Sequence, residues 1–129
     1  MVYLCRDDLK ENIAIIKINN SYTASMTSAE LYDCTRGCWK RKLDSMQKVE
    51  YVLSVAKGIV VEVYNVDKWL SADKLNRETI PYDAVIENGR IGFSGAVADE
   101  EIRNRYIGKS VANLFKRGDA NPVKVFLKQ

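Results

Sequence analysis

The dipeptide Lys57-Gly58 separates two runs of residues that suit a pleated strand, and this pattern constrains the chain more than any other feature. Before it, Val49, Tyr51, Leu53 and Val55 alternate with less apolar residues. After it, Ile59 to Val66 is rich in β-branched side chains. Glycine tolerates the positive φ of a tight turn, so residues 49–66 are predicted to form a β-hairpin.

The flanking segments add elements around this hairpin. Ile13 to Ile18 is a short β-branched run ending in the polar turn Asn19, Asn20, Ser21, which predicts a strand. Thr27 and Glu30 have the spacing of a capping box, in which hydroxyl and carboxylate each satisfy a free N–H at a helix start. On the helical projection that follows, Leu31, Cys34, Thr35 and Cys38 share one side, with Tyr32 and Trp39 on its rim and Arg36 and Lys40 farther out. From Asp67 to Asn88 the periodicity weakens, and Pro81 with several charges predicts a long surface excursion. Arg90 to Val97 alternates Ile91, Phe93, Gly95 and Val97, a strand whose glycines allow a bulge. Asp99 is placed to cap a helix through Tyr106, with a further helical turn over Ser110 to Phe115 and a last strand over Val123 to Leu127. The expected class is α+β, with a small, strongly curved sheet of five to six strands or an open β-barrel, and two to three helices.

With 129 residues, 47% of them hydrophobic and 29% charged, the chain suits one folded domain spanning its length. The first twenty residues lack the basic start and apolar core of a secretory signal, and no run approaches a membrane span, which places the protein in the cytoplasm. Cys5, Cys34 and Cys38 cannot complete a disulfide framework, and free thiols suit a reducing compartment.

There is no histidine. That removes Ser-His and Cys-His nucleophile pairs and the usual nitrogen ligands of zinc. Cys34 and Cys38 read as small core residues ahead of metal ligands. Gly108-Lys109-Ser110 ends like a phosphate-binding P-loop, but Asn104 stands where that loop needs glycine. Asp99, Glu100 and Glu101 read as helix-capping acids first; with Glu62 or Asp67 they are also a remote candidate for a magnesium-dependent nuclease. The expectation is a binding protein, not an enzyme, with no cofactor.

Charge supplies the positive side of that reading. Residues 36–48 carry five Lys or Arg against one Asp, and residues 103–129 carry seven against one, in a chain of net charge +3. Two basic segments therefore stand in an acidic background, and both are interleaved with aromatics. Arg and Lys neutralise phosphates while aromatic faces stack unpaired bases. The expected nucleic-acid contacts are Arg36, Lys40, Arg105, Lys109, Lys116 and Arg117 to phosphate. Trp39, Trp69 and either Tyr64 or Tyr106 would wall a base-sized pocket, and the amide of Asn121 would read a base edge. Trp39 and Tyr106 fit core positions equally well, and Trp69 fits a packing plug. The alternative is a protein-interaction or homo-oligomerisation domain docking through the loop of residues 67–88.

Leu31-Tyr32-Asp33-Cys34-Thr35-Arg36-Gly37-Cys38-Trp39, Val63-Tyr64-Asn65-Val66-Asp67-Lys68-Trp69, Tyr106-Ile107-Gly108-Lys109-Ser110 and Asn121-Pro122-Val123 together resemble a pattern found in a family of small uncharacterised bacterial proteins. The resemblance covers most of the chain from Asn12 onward. It departs from the pattern at Cys34 and Cys38, and at Val125-Phe126. The order of strands is in turn similar to the PUA-like superfamily, including ASCH and EVE domains. That similarity implies a small barrel binding RNA, single-stranded DNA or a modified DNA base.

Overall fold

The structure, a computed structural model, describes residues 1–128. Five strands form one mixed sheet in the order β4-β3-β2-β1-β5. They are β1 (Ile13–Lys17), β2 (Tyr51–Ala56), β3 (Ile59–Ser71), β4 (Ile91–Val97) and β5 (Val123–Phe126). Four α-helices accompany them: α1 (Ser28–Arg36), α2 (Leu43–Met46), α3 (Ala84–Glu87) and α4 (Glu100–Tyr106). The class is α+β, as expected. The sheet is open, with β4 and β5 at its edges. Two of the helices, α2 and α3, are single turns that no periodicity announces.

β1 explains why its sequence is a continuous apolar run and not an alternating one. It lies parallel to β2 and antiparallel to β5. Ile13 and Ile15 face a core shared with Ile102 and Tyr106 of α4; Ala14 and Ile16 face a second core with Cys34 of α1 and Met46 of α2. A strand buried on both faces needs apolar residues at every position.

The hairpin of β2 and β3 forms as predicted, with Lys57 at φ 51° and Gly58 at φ 78° making its turn. Lys57 holds this conformation while its N–H donates to Asn19 Oδ1 at 2.7 Å. β3 runs on past the expected loop start to Ser71, and the register shift between Val66 and Lys68 places a bulge at Asp67. An extra residue there breaks the alternation, which is why the sequence reads as irregular.

α1 begins as its capping box predicts: Thr27 Oγ1 accepts from the Glu30 N–H and Glu30 Oε1 from the Thr27 N–H. It ends at Arg36, earlier than the projected stripe. Gly37 is extended, so Cys38, Trp39 and Lys40 leave the helix. Arg36 O approaches β4 at Gly92, where a Cβ would lie 2.0 Å from that oxygen.

The bulge foreseen for the glycines of β4 is on its neighbour β3 instead, and the glycines admit close backbone approach. At Gly95 a Cβ would stand 2.1 Å from Asn65 O. Neither obstacle is a flexible side chain. Gly92→Ala is accordingly expected to lower the unfolding free energy by about 1–3 kcal/mol, the usual cost of overpacking. The measurement is a lower urea midpoint at unchanged m-value.

Candidate functional site

Residues 37–42 cross from one edge of the sheet to the other. Trp39 pairs with Ile91 at the outer edge of β4, its N–H donating to Ile91 O at 2.8 Å and its carbonyl accepting from the Ile91 N–H at 3.0 Å. The indole Nε1 donates to Thr35 O at 2.9 Å. Two residues on, Arg41 Nη1 donates to Val123 O at the start of β5, at 3.2 Å. The segment is thus tied at both ends, and it presents Lys40 and Lys42 to solvent.

Beside it opens a groove of about 940 Å³. Lys40, Arg41 and Lys42 line it from this segment and Ser45 from α2; Val85, Ile86, Asn88, Gly89 and Arg90 line it from α3 and the turn after it; Asn121 joins them from the loop before β5. Four cations and no carboxylate line it. Among the described residues none of the four takes part in an ion pair, whereas Arg36, Arg77, Arg103, Arg105 and Lys124 all do. A neighbouring depression is lined by Trp39, Lys17, Asn19, Asn20, Ala120 and Pro122 among others, again without an acid.

The α3 side of the groove is held in place by a buried polar network. Asp33 Oδ1 accepts from Arg36 Nε at 2.9 Å, and its Oδ2 accepts from both the N–H and the hydroxyl of Thr79 at 2.8 Å. Arg36 also donates to Asn76 O and lies over the ring of Tyr32, 4.5 Å from its centroid. One step farther along the loop, Arg77 pairs with Glu87 and donates to Gly37 O at 3.3 Å. Glu87 Oε2 accepts from the Asp83 N–H, and Asp83 Oδ1 caps α3 through the Val85 and Ile86 N–H groups. Burial opposes the charged form of Asp33, but the Thr79 donors and Arg36 outweigh it and hold the carboxyl below its ordinary value. For Glu87 burial is likewise outweighed, by the Asp83 N–H, the Cys38 thiol and Arg77. Burial pushes the Cys38 thiol up to about 11, so it is protonated and inert at neutral pH.

The structure distributes the residues expected at a binding face over several places. Lys40 and Asn121 meet in the groove, and Trp39 lines the depression next to it. Arg36 is 7% exposed and engaged by Asp33, which is 2% exposed. Tyr64 and Trp69 are buried on the α1 face with Phe93, their rings 6.0 and 5.2 Å from it. Tyr106 is buried on the opposite, α4 face, where its hydroxyl donates to Glu11 Oε1 at 3.0 Å. Neither tyrosine lines the groove or the depression beside it. Arg105 and Lys109 line a separate depression with Asp8 and Lys10, and Arg105 pairs with Glu11. Lys116 and Arg117 are exposed on the loop before β5 and line neither the groove nor the depression beside it. Asp99 caps α4 through the Ile102 N–H, and Glu62 is held by Arg103. Among the described residues no group of three His, Cys, Asp or Glu side chains is placed to hold a metal ion, and no helix is long and apolar enough to cross a membrane.

Arg41, Lys42 and Arg90 also line the groove, though they were not among the contacts expected from the sequence. Arg41 and Lys42 sat within a basic run that was already visible. Arg90 carried no signal of its own, because it stands alone among acids in sequence and reaches the groove only through β4's pairing with Trp39. Comparisons with known protein families, curated proteins and solved structures find no match to this chain.

Asp33→Ala would leave Arg36 buried and unpaired, which is expected to destabilise the protein by about 3–5 kcal/mol at pH 7. Because the Asp33 carboxyl is held below its ordinary value of 3.8, its contribution is present above that pH and lost as pH falls through the lower folded value. Urea unfolding at a series of pH values checks both points: the gap between wild type and variant narrows in acid.

Proposed function

We propose that this protein is a nucleic-acid-binding module that engages RNA or DNA through the groove between residues 40–45 and 85–90. The observation that carries the reading is the lining itself: Lys40, Arg41, Lys42 and Arg90, none ion-paired among the described residues, with no carboxylate among them. Such a set attracts a polyanion, and each phosphate it neutralises releases condensed counterions. The Asn88 amide and the Asn121 NH2 add groups suited to sugar and base edges, while Asn121 Oδ1 accepts from the Val123 N–H and the Ser45 hydroxyl donates to Lys42 O. Trp39, half-buried beside the groove, offers an aromatic edge.

A PUA-like relationship is consistent with this reading. Two helices, α1 and α2, lie between β1 and β2 and a long excursion lies between β3 and β4, while the five-stranded sheet does not close into the barrel such a relationship implies. The relationship is proposed on the order of elements, and fold alone does not fix function.

Lys40 and Lys42 are exposed, so replacing both with alanine leaves the fold intact. The double variant is expected to bind a labelled single-stranded oligonucleotide more weakly. The slope of log affinity against log salt should become shallower by about 1.4, since each lost single-strand phosphate contact removes about 0.7. Fluorescence anisotropy over a salt series measures it. Unchanged affinity and slope would overturn the assignment of this groove.

A further inference from the structure

The same groove carries two side chains that phosphate contact leaves unused. Val85 and Ile86 are 93% and 61% exposed, and they line it together with Arg90 and the basic segment. Singly exposed apolar residues are ordinary. These two are consecutive, and the turn that carries them is firmly anchored. Asp83 caps their N–H groups, and the next residue, Glu87, is buried and bound by Arg77 and by the Asp83 N–H. The anchoring turns Glu87 inward and leaves the apolar pair outward.

We infer that the groove takes an unpaired strand, with phosphates on Lys40, Arg41, Lys42 and Arg90 and the face of a base on Val85 and Ile86. This rests on the nucleic-acid reading above and names the form of the ligand. In a duplex the base faces are stacked against one another, so only the charged backbone and the base edges meet the protein, and the apolar pair would stay uncovered. An unstacked base brings an apolar face within a nucleotide's reach of its own phosphate, which matches cations and apolar side chains lining one groove. An anionic membrane would also meet both features, and the test separates it.

The test compares a labelled single strand, the same strand with abasic sites, a duplex of the same sequence and phosphatidylserine vesicles, at one salt concentration. Wild type is expected to prefer the intact single strand to the abasic one by about fivefold, the effect of covering roughly 40 Å² of apolar surface at about 25 cal/mol per Å². Val85→Ser with Ile86→Ser should abolish that preference while leaving the salt slope and the thermal midpoint unchanged, whereas Lys40→Ala with Lys42→Ala should weaken all strands and keep the preference. Equal salt-dependent binding of intact, abasic and duplex forms would overturn this inference and leave the nucleic-acid reading standing. Binding to vesicles with none to any strand would overturn both.

Discussion

The buried pair of Asp33 and Arg36 is the interaction on which the groove depends. Both carboxylate oxygens of Asp33 are engaged, one by Arg36 within α1 and the other by Thr79 across the long loop between β3 and β4. A buried charge is costly unless every remaining polar atom finds a partner. Here that condition is met: among the described residues no buried side-chain nitrogen or oxygen lacks a hydrogen bond. Through Asn76, Arg77 and Glu87 the same network extends to α3, which has little apolar contact of its own. The loop is therefore held by polar bonds to α1 together with the buried Ala72 and Leu75 and with Ile80 packed on the second core, and the groove exists where it docks.

The second constraint is the pair of open sheet edges. Exposed strand edges invite pairing with other chains, and natural sheets block them. On β4, Trp39 pairs with Ile91 and the Tyr32 hydroxyl binds both the N–H and the carbonyl of Gly95. On the β5 side, Arg41 binds Val123 O and Arg6 binds Leu127 O. Residues 37–42 thus serve two ends. They cover sheet edges, and in doing so they carry three consecutive cations into one place. Protection of the fold and construction of the basic groove are parts of a single arrangement.

Charge tells a related story. The two basic segments identified along the chain contain both structural and available cations, and position in sequence does not separate them. Arg103 and Arg105 project from α4 onto Glu62 and Glu11, which come from distant strands and loops. Lys124 pairs with Asp119 and lies near the rings of Phe115 and Phe126. Arg103 and Arg105 are neutralised by acids of the acidic background, and Lys124 by the one acid of its own segment. Lys40, Arg41, Lys42 and Arg90 meet none among the described residues, and what sets them apart from other unpaired surface cations is that the fold gathers them in one groove.

By itself the sequence determined the elements whose causes are local. The Lys57-Gly58 turn, the Thr27–Glu30 capping box, the Asp99 cap and the β-branched run of β1 depend on residues a few positions apart, and each appears where the pattern placed it. Lys40 and Asn121, expected from the sequence as nucleic-acid contacts, both line the groove. Only the tertiary structure decided the rest. α1 ends at Arg36, whose carbonyl lies against Gly92 of β4; β3 continues through a bulge because β4 pairs beyond it; Tyr64, Trp69 and Tyr106 are buried among partners many residues away, and Arg36 is held by Asp33 on its own helix and by Asn76 across the loop. Arg90 enters the groove because an edge strand needed covering by Trp39. Each of these outcomes is set by which distant surfaces meet, and burial, ion pairing and edge pairing are properties of that meeting and not of any short stretch of chain.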